Sequence, residues 1–305
     1  MPNSTTTPGS APLVTVILPT YNAMPYLPEA VESILAQTYT NWKLIIVDDC
    51  STDGSHAYLA TLKDPRIQIL RQPENTGPGA ARNRGMDIAE GKYLAFLDAD
   101  DIALPERLAM QVGHMENHPE LDVLGTFTEH FGNSSGLGVA IVGTKNIARW
   151  IYFKGCFYHA TCMYRRAFLE RHNLRFPNLK KVEDFHFRML CFEKGAIMDN
   201  LPVALVKYRV HAKSRTHSVS VMNEVQSFRH GFKSFFGKEL DDRMILAYIK
   251  LYRYIPVENI TYCDILRMYG YFFLHGPLYL KVYMTLKLGR YTLRRLCREP
   301  FYNPF

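Results

Sequence analysis

The sequence predicts an α/β protein whose central, mostly parallel sheet is flanked by helices. Short apolar runs alternate with segments of helical periodicity from residue 13 to residue 126. The runs are apolar throughout, as expected of strands that are buried on both faces of a parallel sheet. Such alternation is typical of strand–helix–strand units with right-handed crossovers. The predicted strands are 13–18, 44–47, 66–70, 93–97 and 121–126.

Helix signals fall between these strands and continue beyond them. The first helix, 28–37, begins at a proline and repeats apolar residues every three or four positions. Turn and cap residues at 51–55 precede a second helix, and a third spans 80–89. The Gly/Ser-rich stretch 132–143 is predicted to be a mobile loop, and the alternation is irregular beyond it. The later predictions are helices at 146–153, 166–172 and 183–194, strands at 160–164 and 203–208, and helices from residue 223 onward.

The composition is that of a folded globular protein with a basic charge balance. The 305 residues are 47% hydrophobic, and the net charge of +7 favours a partner that carries phosphates. The six cysteines form no CxxC pair and no zinc-site spacing, which indicates a reduced, cytosolic compartment. Residues 1–11 lack the features of a signal peptide and are predicted to be a disordered tail. No apolar run reaches the roughly 18–20 residues that span a bilayer.

Three carboxylates follow the predicted strand 93–97 within four positions: Asp98, Asp100 and Asp101. The carboxyl ends of strands are where open α/β sheets bind ligands. Carboxylates this close repel one another, and a hard cation such as Mg²⁺ or Mn²⁺, which also binds substrate phosphates, would relieve that repulsion. The alternative is a solvated acidic turn that caps a helix beginning near Pro105.

Two other predicted strands also end in polar segments. Asp48 and Asp49 follow the strand 44–47, and Pro19–Asn22 follows the first strand. In a parallel sheet all three segments reach the same edge, where Tyr21 is suited to stack on a flat base and Asp49 to accept a hydrogen bond from a base N–H. The alternative for Asp49 is a turn cap. The first strand lacks a following GxGxxG and the chain lacks GxxxxGK[ST], which argues against dinucleotide and P-loop sites.

Four linked motifs resemble those of the family 2 glycosyltransferases over about residues 12–215. They are Val16–Asn22, Ile46–Gly54, Asn75–Gly77 with Ala81–Gly85, and Phe96–Asp101. The resemblance implies a GT-A fold, inversion at the anomeric carbon, Mn²⁺ or Mg²⁺, and a nucleotide-diphospho-sugar donor, with a UDP-sugar favoured. It also implies transfer of a hexosyl or N-acetylhexosaminyl group in cell-surface glycan synthesis. Cys50 stands where the family often has glycine, and we expect it to be tolerated in the turn.

The resemblance also implies a donor site, residue by residue. By motif, the residues that hold the nucleoside are Pro19, Thr20, Tyr21 and Asp49. Asp98 is expected near the ribose and diphosphate.

The remaining residues of the same motifs are assigned to the metal and the donor. Asp100 is expected to ligate the metal, and Asp101 is left without a role beyond capping the following helix. Arg82 is expected to contact the donor, and its alternative is an exposed helix charge.

Glu183 and Asp184 open a predicted helix, and in the family this pair supplies the catalytic base. Carried over, Asp184 would take the proton from the acceptor hydroxyl. We expect the charge of Glu183 to push the pKa of Asp184 toward neutrality, as suits a base. The alternative is a pair of acids placed for the helix dipole alone.

Tyr208–His211 resembles a further family segment, Tyr-Arg-x-His. By this resemblance His211 would ligate the metal or bond the diphosphate, and Arg209 would pair with phosphate. The alternative for His211 is a structural role at the end of a strand. His159 and His186 are expected to be structural.

The C-terminal segment 265–305 interleaves aromatic and basic residues. A basic amphipathic helix favours peripheral contact with an anionic membrane, here the inner face of the cell membrane, and the alternative is a helical cap packed on the catalytic domain. The predicted organisation is a tail at 1–11, a catalytic domain at 12–215 and a helical region at 216–305.

The expected acceptor is a glycan or a lipid-linked glycan, and no recognised nucleic-acid motif is present. Two other functions stay open. One is a non-catalytic module of the same fold that binds a nucleotide or glycan. The other is a nucleotidyltransferase, although the Gly-rich loop expected after its first strand is missing.

Overall fold

The computed structural model describes residues 11–179, 182–211, 221–253 and 260–296. The chain divides into two compact units, residues 1–217 and 218–305. Nearly all of the predicted tail 1–11 lies outside the described residues.

Within the described residues, the strands belong to the first unit. They are β1 (Val14–Thr20), β2 (Trp42–Asp48), β3 (Ile67–Arg71), β4 (Tyr93–Phe96), β5 (Ile102–Ala103), β6 (Val123–Gly132), β7 (Gly136–Gly138), β8 (Met163–Arg165) and β9 (Met198–Val210). Its helices are α1 (Leu27–Leu35), α2 (Ser55–Leu59), α3 (Pro78–Ile88), α4 (Arg107–Asn117), α5 (Thr144–Trp150), α6 (Arg166–Arg171) and α7 (Glu183–Glu193), with a 3₁₀ turn at His159–Thr161.

The strands described here form one mixed sheet in the order β3-β2-β1-β4-β8-β6-β9-β5, with β7 paired to β6. The pairings β1/β2, β1/β4, β2/β3 and β6/β9 are parallel and carry most of the paired residues. The antiparallel pairings are short and involve β5, β7 and β8. The predicted α/β fold with a mostly parallel sheet is confirmed.

Consecutive residues of the central strands point to opposite faces of the sheet. Leu44 and Ile46 face the larger core, which includes residues of α1 and α4. Ile45 and Val47 face the other side, where they pack against Ala81 of α3. This two-sided burial explains why the strands are apolar throughout.

The strand register brings the polar segments to one edge of the sheet. Thr20 at the end of β1 lies beside Asp48 at the end of β2. Phe96 at the end of β4 lies beside Ile17 of β1. The segments that follow β1, β2 and β4 therefore leave the sheet on the same side, as predicted.

Several predicted elements differ from the observed ones. The stretch 132–143, predicted to be a loop, contains β7, which pairs with β6. β5 was not predicted, and β9 begins at Met198, five residues before the predicted strand. Two- and three-residue strands exist because a neighbouring strand offers hydrogen-bond partners, and periodicity cannot detect them.

The second unit is helical, as predicted from residue 223 onward. Its helices are α8 (Val221–Phe236), α9 (Asp242–Arg253), α10 (Tyr262–His275) and α11 (Leu278–Leu296). Its aromatic core includes Phe232, whose ring lies 5.0 Å from that of Tyr248 and 5.3 Å from that of Phe272. Among the described residues, no helix is long and apolar enough to cross a membrane.

Candidate active site

The end of β1 forms the first wall of the candidate site. Pro19 and Thr20 are buried, and the backbone oxygen of Thr20 accepts a hydrogen bond from the Asp49 N–H at 2.8 Å. Tyr21 is the next residue along, and its side chain is exposed. An exposed aromatic ring at this edge fits the predicted stacking on a base, which stays a prediction.

Cys50 has a φ of +64°, in the left-handed region that favours glycine. A non-glycine residue there costs roughly 1–2 kcal/mol. Asn22, in the segment after β1, stabilises the turn: its side-chain oxygen accepts hydrogen bonds from the N–H groups of Thr52 and Asp53 at 2.7 and 3.2 Å. This backbone conformation is the physical reason for a glycine preference at the position.

Asp49 is buried and organises the loop that precedes α3. Its Oδ1 accepts hydrogen bonds from the Gln72 side chain at 2.7 Å and the Thr76 N–H at 2.9 Å. Its Oδ2 accepts one from the Gly77 N–H at 2.8 Å. The carboxylate therefore fixes the position of the loop, and its direct contact with a base stays a prediction.

Arg82 is buried, so its interpretation as an exposed helix charge is wrong. One arm of its guanidinium donates to Asp98 Oδ1 at 2.8 Å, and the other donates to Glu183 Oε1 at 2.7 Å. Burial alone would lower the pKa of Arg82, but attraction to Asp98 and Glu183 raises it above its ordinary value. Arg82 thus joins the acidic end of β4 to the start of α7. Contact with the donor stays a prediction.

Asp100 and His211, the two predicted metal ligands, lie next to each other. The Asp100 Oδ2 is 3.0 Å from the His211 Nε2, although 111 positions separate the residues in the chain. The described residues contain no group of three or more His, Cys, Asp or Glu side chains arranged to hold a metal. Because Mg²⁺ is usually bound by one or two carboxylates together with substrate phosphates, the carboxylate of Asp100 fits a metal that arrives with the diphosphate.

Arg209 lies beside this pair. Its Nε donates to the backbone oxygen of Asp100 at 2.9 Å, and its terminal nitrogen donates to Glu29 at 2.7 Å. The guanidinium also lies 4.6 Å from the ring of Tyr26 and 4.3 Å from that of Phe131. Its predicted pairing with phosphate stays a prediction.

Asp101 does not cap the helix that follows, which corrects that interpretation. α4 begins at Arg107, while Asp101 is buried and accepts a hydrogen bond from the Arg209 N–H at 2.8 Å. Burial, reinforced by the negative charges of Asp100 and Asp98, raises the pKa of Asp101 well above its usual range. Asp101 is therefore an internal group that fastens β9 to the acidic segment.

Asp184 lies in the first turn of α7, and its charge state differs from the prediction. Burial alone would raise the pKa of Asp184, but attraction to Arg188 and Arg82 outweighs burial and holds it below its usual range. Glu183 is not among the main causes of this shift, and its carboxylate is paired with Arg82. The predicted shift toward neutrality is therefore wrong.

The sequence interpretation missed the cation opposite Asp184. An Arg188 terminal nitrogen donates to Asp184 Oδ2 at 3.0 Å. The signal was present, since residues four apart on a helix are neighbours and oppositely charged pairs at that spacing attract.

His159 and His186 were expected to be structural. His159 is buried, and its ring lies 5.2 Å from that of Phe96.

Comparison with known proteins decides the family. The model of glycosyl transferase family 2 matches residues 15–172, about half of the chain. An uncharacterized glycosyltransferase of Haemophilus influenzae is 32% identical over 249 residues, which cover 80% of this chain and 96% of that protein. The chain belongs to glycosyltransferase family 2. In this glycosyltransferase the family match ends before Asp184, so the roles of α7 and β9 rest on motif and geometry.

Similarity to a named enzyme and to two solved structures adds detail. The Escherichia coli UDP-Glc:alpha-D-GlcNAc-diphosphoundecaprenol beta-1,3-glucosyltransferase WfgD is 35% identical over 133 residues, which cover 44% of this glycosyltransferase and 52% of WfgD. The crystal structure of S. aureus TarS 1-349 with UDP-GlcNAc has a TM-score of 0.67 at 22% identity and covers 94% of this chain and 91% of that one. The Pyrobaculum calidifontis mannosyltransferase PcManGT, solved with GDP-Man and Mn²⁺, has a TM-score of 0.57 at 18% identity, with coverage of 96% and 89%. These likenesses confirm the GT-A fold.

Proposed function

We propose that this glycosyltransferase moves a hexosyl or N-acetylhexosaminyl group from a UDP-sugar to a hydroxyl of a lipid-linked glycan during cell-surface polysaccharide synthesis, with inversion and with a divalent metal. The observation that carries the proposal is the bridge made by Arg82. It joins Asp98, at the donor end of the sheet, to the Glu183–Asp184 turn that holds the candidate base. The UDP-GlcNAc bound to TarS and the lipid-linked acceptor in the name of WfgD support the substrate classes.

The mechanism needs one base and no protein nucleophile. Asp184 would take the proton of the acceptor hydroxyl as the hydroxyl oxygen attacks the anomeric carbon of the donor sugar. The bond between that carbon and the diphosphate would break on the opposite face. A carboxylate is suited to this step when it lies within hydrogen-bond reach of that proton. Tyr21 and the loop fixed by Asp49 would hold the nucleoside, and Arg209 would face the phosphates.

Asp100 and His211 would hold the metal, which would neutralise the charge that builds up on the leaving diphosphate. Carboxylate oxygen suits Mg²⁺ and Mn²⁺, and the Mn²⁺ in the PcManGT structure supports the second ion. We expect Asp100→Ala to weaken Mn²⁺-dependent binding of UDP about tenfold or more, since loss of a metal-site partner typically costs 10- to 100-fold.

Calorimetric titration of UDP, with and without Mn²⁺, tests the metal site. Asp87→Asn is the matched control, because Asp87 is a half-exposed acid on α3 outside the site, 3.6 Å from Arg175. Unchanged Mn²⁺-dependent binding in Asp100→Ala would remove Asp100 from the metal site. Donor turnover separates the enzyme from a binding module: if UDP binds but no nucleotide-sugar is cleaved under any condition, the non-catalytic alternative stands.

We also propose that the second unit contacts an anionic lipid surface. Four apolar side chains near the α10–α11 turn and along α11 are 52–76% exposed: Leu274, Leu278, Val282 and Leu286. The sequence of α11 contains five lysines and arginines and no acidic residue. An exposed apolar stripe on a basic helix is the pattern that binds the interface of anionic membranes.

Vesicle co-sedimentation tests this contact with phosphatidylglycerol and with phosphatidylcholine. We expect binding to the anionic vesicles that is lost in the Leu278→Glu/Val282→Glu variant and kept in Leu137→Glu, an equally exposed position on β7. Equal binding of all three proteins would contradict the proposal, as would self-association through the stripe in light scattering.

A further inference from the structure

Arg188 is a buried cation whose two terminal nitrogens reach two different elements. One nitrogen donates to Asp184 Oδ2 at 3.0 Å, on the same helix. The other lies 3.2 Å from the His159 Nδ1 in the 3₁₀ turn. The guanidinium thus connects the candidate base to the 3₁₀ turn that precedes β8.

The second partner, His159, is a neutral acceptor. Burial, followed by repulsion from Arg82, lowers the pKa of His159 well below its ordinary value. A guanidinium can only donate hydrogen bonds, so Nδ1 accepts and the ring proton lies on Nε2. The ring is packed 5.2 Å from that of Phe96 and 5.6 Å from that of Phe176, which leaves it little freedom to rotate.

The Asp184 side chain is partly exposed, unlike that of Arg188. About 30% of the Asp184 side chain is exposed, whereas only 3% of the Arg188 side chain is. The acceptor can therefore approach the carboxylate while the arginine stays covered.

We propose that Arg188 is a positioning residue, which holds the Asp184 carboxylate in one orientation toward the acceptor and is itself fixed by neutral His159. This inference rests on the proposed function, in which Asp184 is the base. Asp184 lies on α7 with Arg188, and it is also faced by His159 and by Arg82 of α3.

The consequence is a base that stays deprotonated into the acid range. An opposite charge within about 4–6 Å lowers a carboxyl pKa by about 1–3 units. In Arg188→Met, the acid limb of the profile of kcat/KM against pH should therefore move to higher pH by about 1–3 pH units. We expect kcat on the plateau to fall about 10- to 100-fold, because a displaced catalytic group loses about that much. The KM for the donor should change little.

Three variants test the role in the full-length chain, with Mn²⁺, a UDP-sugar that the wild type cleaves, and a hydroxyl acceptor. Arg188→Met should move the acid limb. Arg188→Lys, which keeps the charge and loses the fork, should leave the acid limb in place and lower kcat. Arg171→Met removes an exposed arginine of α6 and should match the wild type.

An acid limb that coincides with that of the wild type in Arg188→Met would overturn the inference. If Arg188→Met does not fold, Arg188→Lys decides, and a wild-type kcat in that variant would overturn it. A wild type that cleaves no nucleotide-sugar would instead refute the proposed function. In that case, a double-mutant cycle of Arg188→Met and Asp184→Asn still measures the coupling between the two side chains. The measured quantity is the midpoint of urea denaturation, and strictly additive shifts of the midpoint would count against the contact.

Discussion

Replacing Arg82 by methionine should destabilise the first unit strongly. The Glu183 side chain is only 3% exposed, so losing Arg82 removes a charged partner from a buried carboxylate. Breaking a buried ion pair from one side typically costs about 3–5 kcal/mol. Asp98 adds little to this cost, because its side chain is 31% exposed and water can replace the arginine.

Tryptophan fluorescence during urea denaturation measures this cost in the right part of the molecule. The chain has two tryptophans, Trp42 and Trp150, and both belong to the first unit. We expect the free energy of unfolding to fall by about 3–5 kcal/mol in Arg82→Met. In Arg82→Lys the free energy of unfolding should fall by less, because lysine keeps the positive charge.

The double variant Arg82→Met/Glu183→Gln provides the control. The double variant also removes the buried negative charge that Arg82 balances, so it should be more stable than Arg82→Met alone. The reasoning is refuted if Arg82→Met unfolds within about 1 kcal/mol of the wild type, or if the double variant is the less stable of the two.

Three further variants test local features. Val182 has a φ of +57° directly before the Glu183–Asp184 turn, so Val182→Gly should raise the free energy of unfolding by about 1 kcal/mol, and a loss of stability in urea would contradict this. Cys50→Gly should be neutral or stabilising by up to about 1 kcal/mol for the same reason, checked by the thermal midpoint. Asp101→Asn should stay within about 1 kcal/mol of the wild type at pH 7, because burial raises the pKa of Asp101 and disfavours its ionised form, and the amide oxygen can still accept from the Arg209 N–H. A loss of several kcal/mol would show that the ionised form matters.

The position of the candidate donor site, at the carboxyl ends of β1, β2 and β4, could be predicted from the sequence. The apolar runs predicted the parallel strands, and the carboxyl ends of parallel strands share an edge, which accounts for the positions of Asp49 and Asp98. The assignment of Asp100 and His211 to the metal came from the motif resemblance, since no local rule relates residues 111 positions apart; their contact is seen only in the structure.

The charge environment of the site could not be read from the sequence. Whether Asp101 is buried, and which acids Arg82 faces, depends on how β9, α3 and α7 pack together. The predicted pKa of Asp184 was wrong for this reason: adjacency in the chain suggested repulsion from Glu183, whereas in the folded protein each of the two acids pairs with its own arginine.

The rate of sugar transfer by the Asp184→Asn variant tests most directly the central claim that Asp184 is the catalytic base. The amide keeps the size of the side chain and cannot take a proton, so kcat should fall by about 10²–10⁴-fold, the typical contribution of a general base. UDP binding in the presence of Mn²⁺ should stay at the wild-type level, and Asp87→Asn should behave as the wild type in both measurements. Turnover near the wild-type rate in Asp184→Asn would show that another group takes the proton.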